Sequence, residues 1–204
     1  MNYFKPSALV KSLYGPNLIW SVKDKMNTVY LTFDDGPIPE VTPLVLDILD
    51  KYNVKATFFC VGHNVFKNPE VYQQILQKGH KTANHTYNHL KGWKTTLQKY
   101  TDNVAKCAEF VDSDFFRPPY GRITRKQSKL LRRDYKIIMW TVLSGDYSSK
   151  TTKEQCLENA LNIDGKGSIV IFHDSIKAKE KVMFALPGFI EGCLERGYAF
   201  ELID

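Results

Sequence analysis

The sequence lacks several features that would assign it quickly to a class of protein. None of its apolar runs approaches the ~20 residues that a membrane-spanning helix needs. The amino-terminal stretch, MNYFKPSALVKSLYGPNLIW, is interrupted by lysine, glycine and proline and lacks the continuous apolar core of a signal peptide. We therefore expect no transmembrane segment and a cytoplasmic location, with export by an unrecognised route left open.

Cysteine is scarce, and its spacing forms no metal or redox motif. No C-x-x-C pair occurs, and the four cysteines stand among apolar or helical neighbours: Cys60, Cys107, Cys156 and Cys193. Buried free thiols are the expected state, and they suit a reducing compartment.

The composition that is present fits one soluble globular domain. The chain has 204 residues, of which 43% are hydrophobic and 25% charged, and its formal net charge is +6. The lysines that produce this charge are scattered rather than concentrated in a block, which favours contact with acidic surfaces such as cell-wall polymers. We expect no nucleic-acid partner, and the oligomeric state stays open.

Short apolar runs alternate with helical patterns along the chain, and no linker or repeat interrupts them. The predicted strands are Val29–Thr32, Ala56–Val61, Thr82–Asn84, Phe115–Phe116, Ile137–Val142, Ser168–Phe172 and Tyr198–Ile203. The predicted helices are Thr42–Tyr52, Pro69–Lys78, Thr95–Val111, Thr124–Arg133, Lys153–Asn162 and Glu180–Arg196. This alternation predicts a parallel α/β sheet. About seven units favour a closed or nearly closed barrel over a doubly wound sheet, since no Gly-x-Gly-x-x-Gly or phosphate loop is found.

Polar residues gather where the predicted strands end, and in parallel β/α folds function gathers at those ends. The first strand ends in Asp34 and Asp35, followed by a Gly-Pro turn. The third is followed by His85 and His89, whose four-residue spacing places both imidazoles on one face of a helical turn. Later strands end in FFRPPYG, MWTVLSGDY and IVIFHDS.

Two imidazoles and one carboxylate leave open positions on a bound ion, as a catalytic zinc or another first-row divalent metal requires. His85-x-x-x-His89 lacks the internal glutamate of the metalloprotease helix, so the base must come from elsewhere. The adjacent acids supply it: one binds the metal while the other takes a proton from water. Neighbouring strand residues normally face opposite sides. The turn at Gly36 and Pro37 is expected to bring both acids into one cavity.

The segments TFDDGP, HTYNH, RPPY and FHD, in this order, resemble the polysaccharide deacetylase family, carbohydrate esterase family 4. The resemblance runs from about Val29 to the carboxyl terminus. It implies a single-domain, distorted β/α barrel of about seven strands, complete or incomplete, over residues 29–204, with residues 1–28 as an extension packed on it. It also implies removal of N-acetyl groups from N-acetylglucosamine polymers such as chitin oligosaccharides or peptidoglycan.

By the same resemblance, Asp35, His85 and His89 hold the metal, with zinc expected first and cobalt, nickel or manganese as alternatives. The metal would polarise the acetyl carbonyl and activate water.

The remaining roles implied by the resemblance belong to residues around that metal. Asp34 is the expected base, oriented by Arg117, and His173 is the expected acid, supported by Asp146. Tyr120 would supply a backbone N–H to the oxyanion. Tyr120 and Trp93 are the aromatics expected to contact a sugar.

The chain departs from the family pattern at its fifth strand. The family commonly shows Asp-x-x-Asp-Trp there, whereas this chain has Leu143 and Tyr147 at the two outer positions. Only Asp146 keeps its place. The surroundings of the acid, and the polymer that fits beside them, are therefore open.

Two other functions are compatible with this pattern. One is a metal-dependent hydrolase of a small non-sugar amide, because the chemistry does not depend on what carries the acyl group. The other is a catalytically weakened carbohydrate-binding homologue, which the intact Asp34, Arg117 and His173 disfavour.

Overall fold

Eight α-helices and ten short strands alternate through residues 5–14 and 17–204, the part of the chain that the computed structural model describes. The strands are β1 Leu18–Ile19, β2 Ser21–Met26, β3 Thr28–Asp34, β4 Thr57–Cys60, β5 Lys81–Asn84, β6 Phe115–Phe116, β7 Lys136–Ile138, β8 Val142–Leu143, β9 Lys166–His173 and β10 Ala199–Phe200. The helices are α1 Ala8–Tyr14, α2 Thr42–Lys51, α3 Gly62–Lys67, α4 Pro69–Gln77, α5 Leu97–Ala108, α6 Arg125–Leu131, α7 Lys153–Leu161 and α8 Lys179–Glu195. Of these helices, none combines the length and apolar character needed to cross a membrane.

All strands join one sheet in the order β1-β7-β6-β5-β4-β3-β9-β2, with β10 beside β3 and β8 beside β9. Every pair is parallel except β2–β9. Within the described residues this path begins at β1 and ends at β2 without closing. The sheet curls into an incomplete β/α barrel, which confirms the predicted fold class and single domain.

Helix boundaries follow local signals in the sequence. Thr124 and Thr152 each accept a hydrogen bond from the backbone three residues on, and the glutamine there bonds back to the threonine backbone. These two capping boxes begin α6 and α7. Pro43 and Pro69 lie in the first turns of α2 and α4, where a missing N–H costs nothing.

Several predicted elements differ from the structure. The predicted strand Ile137–Val142 is wrong as a single element, because β7 ends at Ile138 and β8 begins only at Val142. The last strand is limited to Ala199–Phe200. Helices α1 and α3 and strands β1 and β2 were not predicted. They are short or polar elements of two to seven residues, and patterns of that length carry little periodic signal. The division of the chain at residue 28 stays a prediction.

Side chains on β3 alternate between two environments. Val29, Leu31 and Phe33 pack against helices such as α2 and α8, while Tyr30 packs in a second cluster on the opposite face of the sheet. The entire strand is buried, as is typical of a parallel sheet covered on both faces. Because side chains alternate along a strand, Asp34 lies on the opposite face from Phe33.

The register of the sheet brings the polar strand ends together. Asp34 is the direct partner of His173 between β3 and β9, and Asn84 of β5 is the partner of Phe116 of β6. The residues that follow Asn84 and Phe116 therefore leave the sheet at the same edge. All four cysteines are buried and free, which confirms the prediction made from their spacing.

Candidate active site

A cavity of about 570 Å³ opens at the carboxyl ends of the strands. Six of the predicted site residues line it: Asp34, Asp35, His85, His89, Tyr120 and His173. Arg117 and Asp146 are fully buried and contact two of these residues from behind. Residues far apart in the sequence therefore form one site, as the strand-end argument predicted.

Asp35, His85 and His89 present one ligand atom each within 4.8 Å of one another. His89 Nε2 lies 3.0 Å and His85 Nε2 3.8 Å from Asp35 Oδ1. A tetrahedral ion with bonds of ~2.1 Å separates its ligand atoms by roughly 3.4 Å, so these distances match the spacing of such a set. Two imidazole nitrogens and one carboxylate oxygen fit a divalent first-row metal.

The two histidines lie on a loop rather than on the helical turn that their spacing suggested, so that interpretation is wrong. Thr86 and His89 have positive φ angles of 63° and 54°, which no α-helix allows. The side chain of Asn84 accepts a hydrogen bond from the Thr86 N–H at 2.9 Å, and Thr86 Oγ1 accepts one from the Leu90 N–H at 3.1 Å. These local bonds form the loop that presents both imidazoles.

The ring of His85 is held in the orientation that a metal ligand needs. Its Nδ1 lies 2.8 Å from the carbonyl oxygen of Arg117, so Nδ1 carries the proton and donates it. The unprotonated Nε2 then faces Asp35. Burial lowers the pKa of His85 to about 4, so the ring is neutral at pH 7, the form that binds metals.

Asp35 occupies a strained backbone position directly after β3. Its φ is 86°, which turns its side chain into the same cavity as Asp34 and confirms the predicted convergence of the two acids. Burial raises the pKa of Asp35, but the hydrogen bond from His89 and the charge of His173 outweigh burial and hold that pKa well below its usual value. The carboxylate is therefore ionised across the physiological range and available as a ligand.

Asp34 is held by an arginine that is itself completely buried. Arg117 Nη1 donates to Asp34 Oδ1 at 2.6 Å and to Thr32 Oγ1 at 2.9 Å. Its other nitrogens donate to the carbonyls of Ile138 and Met139, at 3.3 and 3.1 Å. Bonds to four acceptors fix the guanidinium in one position, which compensates the cost of burying it. Arg117 thus orients the carboxylate beside Asp35, His85 and His89.

His173 and Asp146 form the second ion pair of the site. Asp146 Oδ1 accepts from His173 Nδ1 at 2.7 Å, and Oδ2 accepts from the His173 backbone N–H at 2.6 Å. Burial lowers the pKa of His173, but the charge and hydrogen bond of Asp146 outweigh it and raise that pKa to about 10. His173 is therefore protonated at neutral pH, and its Nε2 is left for the cavity.

Two hydrogen bonds of Asp174 hold the turn after β3, and the sequence did not predict them. Asp174 Oδ1 accepts from the Gly36 N–H at 2.9 Å, and Asp174 Oδ2 accepts from Thr42 Oγ1 at 2.6 Å. A Cβ on Gly36 would lie only 1.9 Å from Asp174 Oδ2, so this close approach requires glycine. Gly36 and Asp174 are 138 residues apart in the chain, so no local sequence pattern predicts their contact.

The two predicted sugar-contacting aromatics differ in position. Tyr120 lines the cavity, is 57% exposed, and its ring centre lies 4.7 Å from that of His89. Trp93 is equally exposed but lies outside the cavity lining, where its indole N–H donates to the Ile123 carbonyl at 3.1 Å. Tyr120 has a φ of 60°, a further strained position at the site.

An apolar wall completes the cavity beside His173. It consists of Trp140, Leu143, Tyr147 and Ile171. Leu143 and Tyr147 are the two departures from the family pattern, so the structure places both at the site. Tyr147 contacts His173 directly, since the two ring centres lie 5.0 Å apart.

The two histidines without an assigned role also have defined positions. His63 lines a smaller adjoining cavity of about 320 Å³ together with Asp35 and His89. His80 is buried, and its Nδ1 accepts from the Ala56 N–H at 3.2 Å, which is a structural contact.

An incomplete β/α barrel with this acid–histidine constellation at its strand ends is typical of metal-assisted hydrolases. The comparison with known proteins specifies the class. The family described as polysaccharide deacetylase matches residues 21–136. A peptidoglycan-N-acetylglucosamine deacetylase of Bacillus cereus is 30% identical over 192 residues, which are 91% of this chain and 90% of the relative. The chain belongs to the polysaccharide deacetylase family and is an enzyme of the carbohydrate esterase family 4 type.

Solved structures agree with this assignment. A peptidoglycan N-acetylglucosamine deacetylase in complex with an N-hydroxybenzamide has a TM-score of 0.85 at 30% identity, covering 92% of this chain and 91% of that one. A Bacillus anthracis protein described as a pseudoenzyme of the same family has a TM-score of 0.82 at 26% identity, covering 93% and 68%. Fold alone therefore does not decide activity, and the site residues carry that argument.

Some relatives are longer than this chain, which matches only part of their length. The chain spans 56% of a second peptidoglycan-N-acetylglucosamine deacetylase of Bacillus cereus, to which it is 36% identical. It spans 38% of the deacetylase PgdA of Listeria monocytogenes, to which it is 32% identical over 86% of its own length. The chain thus matches only part of the length of these longer relatives.

Proposed function

We propose that this protein removes N-acetyl groups from an N-acetylglucosamine-type glycan, in a reaction that depends on a divalent metal, with zinc expected first. One observation carries the proposal: a metal-ligand set, an arginine-bound aspartate and an aspartate-bound histidine meet in one cavity. The relatives named as deacetylases of peptidoglycan N-acetylglucosamine support the glycan as the substrate class.

In this proposal Asp35, His85 and His89 would hold the metal. A bound divalent ion supplies Lewis-acid polarisation of the acetyl carbonyl and a more acidic water. Asp34 takes the proton of the attacking water, and Arg117 keeps the carboxylate turned toward it through the 2.6 Å bond at Oδ1. The second oxygen of Asp34 lies 3.9 Å from His85 Nε2, and is therefore next to the proposed metal position.

His173 completes the reaction as the general acid. Amide hydrolysis releases an amine that must receive a proton, and His173 holds one at neutral pH because Asp146 raises its pKa to about 10. Since Nδ1 is bound to Asp146, the proton that reaches the leaving nitrogen comes from Nε2. The base and the acid stand on adjacent strands, with Asp34 and His173 in direct register.

The oxyanion and the acetyl methyl group have separate proposed positions. The backbone N–H of Tyr120, in the turn Pro119–Gly121 beside His89, is the proposed donor to the oxyanion. The apolar wall that includes Leu143 and Ile171 suits a methyl group. Leucine in place of the usual acid thus adds apolar surface where a short acyl group would lie.

The test is acetate release from N-acetylglucosamine oligomers by the purified protein. We expect activity to be lost with a chelator and restored by zinc or cobalt. Absence of acetate from every glycan, with metal bound, would contradict the proposal. Release from small non-sugar amides alone would point to a different amide substrate, and glycan binding without hydrolysis would indicate a binding protein.

Two variants separate the base from the ligands. Asp34→Asn should keep the metal content and lose about 10²–10⁴-fold in activity, since it removes the base alone. His85→Ala should lose both metal and activity. Asp112→Asn, an exposed acid that precedes β6 at the other end of the sheet, is the matched control. Loss of metal from Asp34→Asn would mean that the two acids are assigned the wrong way round.

A further inference from the structure

Three cationic side chains line the rim of the cavity: Lys91, Arg122 and Lys177. The only carboxylates among the cavity-lining residues are Asp34 and Asp35, and both are bound by site residues, Asp34 by Arg117 and Asp35 by His89. The rim therefore carries positive charge that the floor of the site does not neutralise.

None of these three cations has an ion-pair partner within 4.0 Å among the described residues. Other lysines on the surface do, since Lys25 pairs with Glu201 and Lys78 with Asp50. Unpaired like charges around one concavity repel each other, and they raise the local concentration of anions there. An anionic group on a ligand would remove that repulsion.

Two of the cations rest on exposed aromatic rings. Lys91 Nζ lies 4.5 Å from the ring centre of Tyr120, and Arg122 Cζ lies 5.1 Å from that of Trp93. Such contacts restrict long side chains while leaving the charge open to solvent. They also give Trp93 a role without direct contact to the cavity, because it supports Arg122.

The three cations stand on both sides of the reacting groups. Lys91 and Arg122 lie in the loops that follow β5 and β6, whereas Lys177 follows β9. Strands β4 and β3 lie between β5 and β9 in the sheet. A glycan long enough to cross the cavity would therefore meet a cation on each side of the N-acetyl group being removed.

We propose that Lys91, Arg122 and Lys177 form a subsite for carboxylate groups, so that the preferred substrate is an acidic N-acetylated glycan rather than a neutral one. This inference rests on the proposed function, because it concerns the same cavity. The carboxylate has two possible sources in such a polymer: an ether-linked acid on the sugar, or a peptide attached to it.

The experiment compares three oligosaccharides of equal sugar length. They are a neutral N-acetylglucosamine oligomer, an alternating oligomer of N-acetylglucosamine and N-acetylmuramic acid without peptide, and the same alternating oligomer with its peptide retained. We expect a lower KM for an acidic oligomer, and 0.5 M NaCl should erase the difference because salt screens exposed charges. A preference for both acidic forms assigns the sugar carboxylate, and one for the peptide-bearing form alone assigns the peptide.

Charge-neutralised variants tie the preference to the rim. The triple variant K91Q/R122Q/K177Q should raise KM for the acidic oligomer about tenfold, roughly twofold to threefold for each cation, and leave kcat and the neutral oligomer unchanged. The matched control neutralises three exposed lysines outside the cavity: Lys67, Lys126 and Lys129. Equal KM values for acidic and neutral oligomers, or an equal change in the control, would overturn the subsite.

Binding measurements keep this test independent of turnover. Equilibrium binding of the neutral and acidic oligomers by titration calorimetry should show the same preference and the same loss in the triple variant. Tighter binding of the acidic oligomer without acetate release would support the carboxylate subsite and contradict the proposed deacetylase function. Acetate release with no preference for the acidic oligomer in binding or KM would support the deacetylase function and contradict the subsite.

Discussion

Replacing Asp146 by asparagine should move the alkaline limit of activity by several pH units. In the native protein burial lowers the pKa of His173, but the Asp146 carboxylate, with smaller contributions from Asp35 and Asp34, raises that pKa to about 10. Asparagine has the same shape but no charge. The pKa of His173 should then fall toward its ordinary value near 6.5, because burial lowers it and only the weaker effects of the Asp35 and Asp34 charges still raise it.

The size of the effect follows from the protonated fraction of His173. A histidine with a pKa near 6.5 is about 3% protonated at pH 8, whereas one with a pKa near 10 is almost fully protonated. If His173 is the general acid, activity of Asp146→Asn at pH 8 should be about 30-fold lower from this cause alone. Most of that loss should disappear at pH 6, where the variant's histidine regains its proton.

The same substitution changes stability with a defined sign. A raised histidine pKa stabilises the fold fully below about pH 6.5, and this contribution is lost as the pH rises through about 10. The Asp146 carboxylate accepts hydrogen bonds from three N–H groups. In Asp146→Asn the NH2 group cannot accept, so at least one of these donors loses its partner, which lowers the unfolding free energy by about 1–3 kcal/mol. The difference in unfolding free energy between the two proteins should therefore shrink as the pH rises from about 6.5 to about 10.

The assays are pH profiles of kcat/KM for acetate release and urea unfolding at pH 6, 8 and 10. Asp112→Asn serves again as the control for loss of a carboxylate. An alkaline limb that stays in place in Asp146→Asn would refute the assignment of His173 as the acid. A stability difference that does not vary with pH would refute the coupling of its proton to Asp146.

Two further substitutions test the groups that hold the acids after β3. Arg117→Met should lower the unfolding free energy by about 3–5 kcal/mol, because Asp34 is left as an unpaired buried charge. The double variant with Asp34→Asn should recover much of that loss in urea unfolding, and strictly additive losses would contradict the pairing. Asp174→Ala, which removes the acceptor of Gly36 and Thr42, should weaken metal binding roughly tenfold in a competition assay with a chelator. Asp174→Asn should lose less, since its oxygen still accepts from Gly36, and equal losses would mean that this hydrogen bond does not position the site.

Much of the fold was readable from local pattern. Proline in the first turns of α2 and α4, the two threonine capping boxes and the buried apolar runs of β3 and β9 are signals contained in a few consecutive residues. The errors lie where such signals are weak. Strands of two residues, such as β1 and β8, depend on their neighbours in the sheet and have no periodicity of their own.

The residue types of the site could also be recognised from local sequence, because they lie in four short segments at or just after the ends of strands. Asp34 and Asp35 are adjacent, His85 and His89 are four apart, and His173 closes β9, so their residue types alone indicated a metal and an acid–base pair. Any parallel β/α sheet brings the carboxyl ends of its strands to one edge. Sequence thus determined which polar groups come together and at which edge of the sheet they meet.

Only the tertiary structure decided how those groups are held and what surrounds them. The loop of His85 and His89 is non-helical, Asp174 reaches the turn at Gly36 across 138 positions, and the rim cations come from three separate loops. Such contacts join residues whose separation along the chain says nothing about their distance in space. They form because packing of the barrel determines the path of the backbone, and that path decides which side chains are close enough to form hydrogen bonds and ion pairs.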